Sequence, residues 1–507
     1  MKNKMLLFYP STANKPTITL PVPILAGIAN KHKWDVSYYD TTNYKKRLDA
    51  IEEKEKTGGF QPGITKIKNE IEPFENLVPD IQTSINKLKP KLLCITTMSC
   101  DYQYLITFFS KIKIPKNTMV VIGGVHAILR PDDIIKTGLF DIVCTGQGEK
   151  TFDEILSVIE KGQDVSKIKG TFFLSRKTGE ITKNPRRELL TPKELWKVNT
   201  DYSFYSDKYF YHPFDGQMVR MFWMEVARGC PYNCTYCGNS AIKEVYKGLG
   251  NHVATRPMDS IFRHFDTMIK KYKIDVFNIT DECFLAHPIP WLKDFAWHYA
   301  KNIRKPFLIQ TRPETVTEER LDILKSFKAP FFQVGMGVES GSERILFDIC
   351  NRKTSKKSII KAYDLLKKYG IRSNAYFMIG FPTETRKEVF ETIKLCRRID
   401  SNINVVSIFQ PQPGQKLTQL CIDKKYITGK EPLETFTSAS ILKMPQLSAK
   451  EITELRRCFM LYAKLPLKYY KDIEKCELDY ENNRELFDKL VDLRWKYDKT
   501  YKKIKIA

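Results

Sequence analysis

The sequence lacks the features that place a chain in a membrane or outside the cell. No apolar run approaches the roughly 18 residues that a membrane-spanning helix needs. The apolar run at the start, Met5–Phe8, is too short for a signal peptide and is ended by Pro10. The 12 cysteines show no disulfide-like spacing. We therefore expect a cytoplasmic protein with reduced thiols.

The chain also lacks a basic arm and an aromatic-rich basic stripe, although its net charge is strongly positive. It holds 83 Lys and Arg against 59 Asp and Glu, a formal net charge of +24, which raises a nucleic-acid or anionic-membrane partner. These charges are spread along the whole chain. We interpret them as a Lys-rich solvated surface, and nucleic acid is not expected as a partner.

The first 150 residues alternate between short apolar strands and helical segments. At 507 residues and 42% hydrophobic content, the chain has room for two or three domains. Helical patterns cover 23–29, a charged stretch around 41–88 with a loop at Thr57–Gly59, and 106–112. The predicted strands are Met5–Tyr9, Asp35–Asp40, Leu92–Thr97, Met119–Ile122 and Asp141–Cys144. This alternation predicts an α/β domain with a doubly wound parallel sheet.

Small and polar residues follow three of these strands. Sheets of this kind bind ligands at the carboxyl ends of their strands, where glycine lets the backbone approach a ligand and hydroxyls donate hydrogen bonds. Paired glycines after strands are also common in plain turns. The candidate binding residues are Thr97, Ser99, Gly123, Gly124, Val125, His126, Gly146, Gly148 and Glu149.

Residues 215–420 repeat the alternation of strands and helices, and the rest of the chain has different patterns. The predicted strands are 221–226, 274–279, 307–310, 332–338, 374–379 and 405–409. Six parallel strands predict a partial (β/α)6 TIM-like barrel, whose polar residues meet at one mouth. Residues 151–214 are predicted to be a connector with a hairpin around Lys177–Glu180. Residues 421–507 are predicted to be helical, with helices over 448–463 and 481–503.

Three cysteines dominate the barrel segment. Cys230, Cys234 and Cys237 form a C-x3-C-x2-C motif, and thiolates from one loop are good ligands for an iron–sulfur cluster. Structural zinc sites and ordinary ferredoxin clusters use four protein ligands. A 4Fe-4S cluster held by three cysteines keeps one iron open. The alternatives are free thiols or a zinc site completed by His252.

With Tyr236 just before its last cysteine, this motif resembles the signature of the radical S-adenosylmethionine (SAM) enzymes. The resemblance implies that the open iron chelates the amine and carboxylate of SAM. It further implies that reduction cleaves SAM to methionine and a 5′-deoxyadenosyl radical. It places Tyr236 among the cofactor-binding residues and implies an external electron donor of the flavodoxin or ferredoxin type.

The resemblance also implies ligands for the methionine part of SAM. Asp281 or Glu282 stands at the place of the family's amine-binding motif, and Arg312 is placed for the carboxylate. The structural alternative for Arg312 is a surface charge. Cys283 is either an additional functional thiol or, more simply, a packing residue.

Two further motifs resemble those of the family. Glu339 and Ser340 lie in a G-x-E-S-G sequence, and Gly380 opens a G-x-P-x-E-T turn. The resemblance implies that the first motif meets the methionine part or ribose of SAM and that the turn lies near adenine. The structural alternative for Glu339 is a salt bridge or a cap before a predicted helix at 342–350.

The front domain is similar to the cobalamin-binding domain of one radical SAM subfamily. Gly123–His126 matches a "GG-x-H" loop, and Gly146–Glu149 matches a "G-E-G-E" loop except for Gln147. The D-x-H-x-x-G motif of other cobalamin proteins is absent, and Ser11–Lys15 holds no histidine. The resemblance implies cobalt without an axial histidine, and His126 near the nucleotide tail.

The resemblance as a whole predicts a cobalamin-dependent radical SAM methyltransferase that acts on an unactivated carbon or a phosphinate phosphorus. One SAM methylates cob(I)alamin and a second supplies the radical that activates the substrate. The main alternative is a cyclase or rearrangement enzyme without methyl transfer. A methylthiotransferase would need three more clustered cysteines, and Cys94, Cys100 and Cys144 lack that spacing. A corrinoid-binding or regulatory protein is the non-enzyme alternative. A small molecule, a lipid or a peptide remains open as substrate.

Overall fold

The computed structural model describes residues 2–13, 16–44, 71–214, 217–432, 436 and 439–498. The charged segment 45–70, with its predicted helix and its loop at Thr57–Gly59, lies outside the described residues. The chain divides into two compact units. The first unit contains the described residues of Met1–Arg47, Ile67–Phe210 and Ala241–Ser260, and the second contains those of Tyr211–Ser240 and Ile261–Ala507.

The first unit contains a seven-stranded sheet in the order β2-β1-β3-β4-β5-β6-β7. Its strands are β1 Lys4–Tyr9, β2 Asp35–Asp40, β3 Leu92–Thr96, β4 Met119–Gly123, β5 Ile142–Cys144, β6 Thr171–Leu174 and β7 Ile181–Lys183. The first five strands are parallel, as predicted. β6 and β7 are antiparallel, so the hairpin expected in the connector extends this sheet.

The strand order creates a topological switch point between β1 and β3. The chain runs from β1 to β2 on one side of it, and then returns to β3 on the other side. The helices in the described residues of Met1–Arg47 and Ile67–Phe210 are Pro21–Lys31, Leu77–Leu88, Ser99–Phe109, Val125–Leu129, Pro131–Ile135, Gly148–Glu160 and Pro192–Leu195. The helix Ser99–Phe109 begins at the carboxyl edge of β3, earlier than the helix predicted over 106–112. The sheet and helices bury a core that includes Leu6, Phe8, Ile95, Phe108 and Ile122.

The second unit contains a curled seven-stranded half-barrel. In spatial order its strands are Ile403–Ile408, Arg372–Ile379, Phe332–Glu339, Phe307–Thr311, Val276–Ile279, Gln217–Met224 and Tyr211–Phe214. Six are parallel, as predicted. The seventh, Tyr211–Phe214, pairs antiparallel with Gln217–Met224 and was not predicted.

Helices connect the barrel strands and follow them. They are Gly238–Val245, Met258–Tyr272, Ile289–Asn302, Glu318–Ser326, Lys356–Lys368, Arg386–Ile399 and Lys416–Asp423, then Ala449–Lys464, Tyr470–Leu478 and Arg484–Tyr497. The helical C-terminal region is confirmed, and Ser448 caps its first helix through a capping box with Glu451. The helix predicted at 342–350 is a single π-helical turn, Ile345–Ile349.

No helix among the described residues is long and apolar enough to cross a membrane. The four-part boundaries 1–150, 151–214, 215–420 and 421–507 stay a prediction.

Candidate active site

The cysteine loop follows the barrel strand Gln217–Met224 and is held by backbone bonds. The amide of Cys237 donates to the carbonyl of Cys234 at 3.2 Å, and the amide of Thr235 donates to the carbonyl of Cys350 at 3.1 Å. The hydroxyl of Thr235 donates to the carbonyl of Ile349 at 2.5 Å. The end of the π-helical turn Ile345–Ile349 therefore anchors the loop.

The three motif thiols differ in exposure, and protein surrounds all of them. Cys234 is buried, whereas Cys230 and Cys237 are partly exposed. Burial and the nearby Cys283, Cys237 and Glu282 raise the pKa of Cys230 to about 12. Burial also raises the pKa of Cys237. Thiols held in this protonated state release protons when a metal binds.

Among the described residues, no three or more His, Cys, Asp or Glu side chains are arranged to hold one metal ion. In a 4Fe-4S cluster each cysteine binds a different iron, so the thiolates need not converge on one point. Three thiols on one backbone-anchored loop fit that donor set.

Arg312 lies against this loop. Its Nη1 donates to Sγ of Cys234 at 3.4 Å, and its Nη2 donates to the hydroxyl of Thr354 at 3.0 Å. Its Nε bonds to Glu314, and its guanidinium stacks 3.8 Å from the ring centroid of Tyr232. With 8% exposure, Arg312 is not a surface charge, so that alternative is wrong. Binding of a SAM carboxylate by Arg312 stays a prediction.

A second buried arginine, Arg352, organises the residues around Glu339. Its Nη1 lies 3.8 Å from Oε1 of Glu339 and donates to the hydroxyl of Tyr236 at 3.3 Å. Its Nη2 donates to the carbonyl of Gly337 at 2.5 Å. Burial raises the pKa of Glu339, against the opposing effect of Arg352. The salt-bridge alternative for Glu339 is therefore realised in the protein, and the sequence did not predict Arg352.

Glu339 also adopts a backbone conformation that side chains rarely tolerate. Its φ is +64°, in the left-handed region where a non-glycine residue is strained and where functional residues cluster. The adjacent Ser340 is fully buried, and its hydroxyl lies 3.2 Å from Thr392 and accepts from the amide of Ser342 at 3.1 Å. Ser340 thus supports the turn, and contact of either residue with SAM stays a prediction.

The structure distinguishes the two acids proposed for the SAM amine. Asp281 is buried, lies 2.6 Å from Nε2 of His287 and accepts from the amide of Cys283 at 3.4 Å. Glu282 is reachable by solvent, yet the surrounding protein raises the pKa of its carboxyl while Asn239 bonds to it. Glu282 is therefore the more accessible acceptor.

Cys283 itself is buried, and its Sγ lies 3.5 Å from the hydroxyl of Thr311. These contacts fit the packing alternative.

The turn that Gly380 opens is built on a buried carboxyl. Oε2 of Glu384 accepts from the amides of Gly380 at 2.6 Å and Phe381 at 3.2 Å. Burial raises the pKa of Glu384 to about 8. Phe381 in turn packs edge-on against Tyr236, with ring centroids 5.8 Å apart. The turn therefore lies beside the cysteine loop, although contact of Gly380 with adenine stays a prediction.

In the first unit, the carboxyl ends of β3 and β4 pack closely together. The amide of Thr97 donates to the carbonyl of Gly123 at 3.0 Å. A Cβ on Gly124, which has a φ of +99°, would lie 2.4 Å from the carbonyl oxygen of Thr97. Met98, between Thr97 and Ser99, is 55% exposed. The edge therefore presents an apolar side chain among small polar groups.

His126 turns inward from this edge. Its Nδ1 lies 3.0 Å from the hydroxyl of Ser99, and its ring stacks on Tyr102 with centroids 4.3 Å apart. Burial, followed by the charge of Arg130, lowers the pKa of His126 to about 4. His126 is thus a neutral, packed side chain, and the absence of an axial role stays a prediction.

The loop after β5 is shaped by packing inside the same unit. A Cβ on Gly146 would lie 2.8 Å from the hydroxyl of Tyr246, and that hydroxyl accepts from the amide of Gln147 at 2.8 Å. Gly148 begins the helix Gly148–Glu160 and Glu149 is buried in its first turn. The glycine requirement at Gly146 therefore comes from Tyr246, which the sequence did not reveal.

The sequence also missed Asp101, which bridges the switch point. This buried carboxylate accepts from the hydroxyls of Tyr9 at 3.1 Å and Thr12 at 2.9 Å, and so ties the end of β1 to the helix after β3. The sequence signal for Asp101 is an acidic residue in the first turn of the helix Ser99–Phe109.

Replacing Gly124 with alanine is expected to destabilise the first unit by about 2–3 kcal/mol, because a positive φ and a backbone clash act together. Gly138→Ala is a matched control, since its φ of +72° is also positive but a Cβ there meets nothing within 4 Å. Hydrogen exchange of β3 and β4 measures the difference. Equal protection in the two variants would contradict the steric argument.

Replacing Arg352 with methionine is expected to lower the free energy of unfolding by about 3 kcal/mol, because it leaves the partly buried Glu339 without its partner. Urea unfolding at pH 7, together with hydrogen exchange of Phe332–Glu339, measures this. Arg398→Met is the control, because its pair with Asp364 is exposed and surface pairs contribute about 1 kcal/mol or less. Adding Glu339→Gln should recover part of the loss, and a double variant no better than Arg352→Met would count against the pairing.

A family model for the radical SAM superfamily matches residues 224–396. The chain is 27% identical over 403 residues to an uncharacterized methyltransferase from Pyrococcus horikoshii, covering 78% of this chain and 83% of the relative. It is 21% identical over 404 residues to an anaerobic magnesium-protoporphyrin IX monomethyl ester cyclase from Rubrivivax gelatinosus, covering 78% of this chain and 70% of the relative.

Solved structures share the fold. The radical SAM methyltransferase TsrM from Kitasatospora setae, with cobalamin and a [4Fe-4S] cluster bound, superposes with a TM-score of 0.62 at 15% identity, covering 84% of this chain and 75% of TsrM. The cobalamin-dependent SAM radical enzyme OxsB superposes with a TM-score of 0.63 at 13% identity, covering 98% of this chain and 72% of OxsB. The match over residues 224–396 assigns this segment to the radical SAM superfamily, and the chain shares the fold of these two cobalamin-dependent radical SAM enzymes.

Proposed function

We propose that this protein is a cobalamin-dependent methyltransferase that acts on an unactivated carbon or a phosphinate phosphorus. The observation that carries the proposal is the loop of three cysteines whose buried thiol, Cys234, receives a hydrogen bond from the buried Arg312. The relative from Pyrococcus horikoshii, described as a methyltransferase, and the fold shared with TsrM support the methyl-transfer assignment.

In this proposal the second unit holds the cluster and SAM. Cys230, Cys234 and Cys237 bind three irons of the cluster, and Glu282 accepts the SAM ammonium. Arg352 keeps Glu339 oriented toward the methionine part or ribose. Tyr236, Asp281, Arg312, Ser340 and Gly380 complete the cofactor-binding set.

The first unit holds cobalamin in the same proposal. When bound, cobalamin supplies the methyl group, while the cluster and SAM supply the radical. The residues assigned to the corrin and its tail are Thr97, Ser99, Gly123, Gly124, Val125, His126, Gly146, Gly148 and Glu149. The chain's part is to bind and orient the cofactor, and His126, stacked on Tyr102, contributes through its contact with the hydroxyl of Ser99.

A cobalamin-containing cyclase or rearrangement enzyme is the second candidate, favoured by the similarity to the anaerobic cyclase. In either case we propose a cytoplasmic enzyme reduced by a flavodoxin- or ferredoxin-type donor. The substrate class, whether a small molecule, a lipid or a peptide, is the same open choice for both candidates.

The two candidates differ in a reaction that needs no substrate. The reconstituted protein, loaded with hydroxocobalamin and reduced under anaerobic conditions, is incubated with SAM carrying a labelled methyl group. A methyltransferase forms labelled methylcobalamin and one equivalent of S-adenosylhomocysteine, both measured by mass spectrometry. Formation of 5′-deoxyadenosine with neither product would contradict methyl transfer and favour the cyclase.

A further inference from the structure

Arg312 makes a set of contacts that binding a SAM carboxylate does not require. Three of its five N–H groups are used, on Cys234, Thr354 and Glu314. Its flat face covers the ring of Tyr232. The side chain is thereby held rigidly, with one N–H directed at a thiol sulfur.

The anchors of Arg312 are themselves connected. The hydroxyl of Thr354 lies 3.0 Å from Nη2 of Arg312 and donates to Oε2 of Glu314 at 2.9 Å. Glu314 in turn pairs with Nε of the same arginine. This closed ring of three side chains fixes the direction of the guanidinium without using Cys234. The bond to the sulfur is therefore the consequence of a preformed geometry.

The chemistry of this contact concerns the sulfur. A cationic N–H donor near a thiolate stabilises added negative charge, and hydrogen bonds to the cysteine sulfurs are among the factors that set the reduction potential of an iron–sulfur cluster. The reduced cluster carries one more negative charge than the oxidised cluster. The contact therefore favours the reduced state.

From this geometry we propose that Arg312 is a positioning residue that raises the reduction potential of the cluster through its N–H···S bond to Cys234. The inference rests on the proposed cluster and goes beyond it, because it assigns Arg312 a redox role in addition to any contact with SAM. The electron itself comes from the external donor.

The test is a redox titration of the reconstituted full-length protein, without SAM, followed by the electron paramagnetic resonance signal of the reduced cluster. In Arg312→Gln the ratio of reduced to oxidised cluster at a fixed potential is expected to fall about tenfold, equivalent to about 59 mV for a one-electron couple. Arg312→Lys keeps the charge but not the fork, so a smaller decrease is expected.

Arg320→Gln is the matched control. This arginine is in the same unit and donates to the carbonyl of Leu285 at 2.7 Å, not to a sulfur. Its loss changes the net charge equally and should leave the potential unchanged. An equal decrease in both glutamine variants, or no decrease in Arg312→Gln, would overturn the inference.

A second variant keeps the inference testable if Arg312→Gln takes up no cluster. Thr354→Val leaves Arg312 in place but removes one of its anchors. The ratio of reduced to oxidised cluster at a fixed potential is therefore expected to fall, by less than tenfold. An unchanged potential there would overturn the inference. A wild-type protein that binds no 4Fe-4S cluster at all would overturn the proposed function as well, which separates the two failures.

Discussion

Replacing Cys234 with alanine is expected to abolish cluster binding and to reduce SAM cleavage by at least about 10³-fold, because residues that act as a unit fail together. Cys234 is the buried thiol of the three and the one that Arg312 contacts. Two remaining thiolates cannot hold a cluster that already uses only three protein ligands. The measurements are the iron content after anaerobic reconstitution and the rate of 5′-deoxyadenosine formation.

Cys283→Ser provides the control for this experiment. Cys283 is close enough to raise the pKa of Cys230, but its own sulfur lies against the hydroxyl of Thr311. The iron content of the Cys283→Ser variant should equal that of the wild type. If Cys283→Ser lost iron as Cys234→Ala does, a four-cysteine site would have to replace the three-cysteine site.

Replacing Glu384 with glutamine is expected to change the pH dependence of stability. The pKa of Glu384 is about 8 in the folded protein against an ordinary value of 4.5. The folded state therefore binds more protons than the unfolded state between these values, so the stability of the wild type falls as pH rises from 4.5 to 8. At about 1.4 kcal/mol per pKa unit, the effect amounts to about 5 kcal/mol over that window.

Glutamine does not titrate, so the free energy of unfolding of Glu384→Gln should lack this decline. Its stability relative to the wild type should therefore rise with pH. Urea unfolding at pH 5, 6.5 and 8 measures the difference between the two proteins. Glu431→Gln serves as the control, because burial raises the pKa of that carboxyl but hydrogen bonds from the backbone and from Thr428 outweigh it and lower the pKa to about 2. Parallel pH profiles for wild type and Glu384→Gln would show that Glu384 is ionised in the folded protein.

Much of the fold is readable from local sequence patterns. The five parallel strands of the first sheet and the six parallel strands of the half-barrel are mostly short apolar runs followed by glycine or polar residues, a pattern typical of buried parallel strands. The cysteine motif likewise needs only eight consecutive residues. These features depend on near neighbours in the chain, so they survive without knowledge of the tertiary structure.

The partners of the site residues could not be read in that way. Arg352 lies 13 positions after Glu339, beyond a π-helical turn that had the pattern of an ordinary helix. Asp281 and Glu282 are adjacent in sequence, and only the position of His287 shows which of them is occupied. Tyr211–Phe214 is a short strand that contains Pro213. Proline argues against a strand unless that strand lies at the edge of its sheet, and the sequence does not show this position.

The glycines illustrate the same limit. Gly124 and Gly146 match motifs of a ligand-binding loop, yet their lack of a side chain is already required by Thr97 and by Tyr246. Tyr246 lies a hundred residues from Gly146 along the chain. A motif identifies the position, and the tertiary contact supplies its physical cause.

The most direct test of the central claim is the iron and cobalt content of the protein purified anaerobically with hydroxocobalamin supplied, read together with its visible spectrum. The proposed three-cysteine cluster and the proposed cobalamin site predict about four irons and about one cobalt per chain. Four irons with no cobalt retained would contradict the account, because a radical SAM enzyme without cobalamin cannot methylate through it.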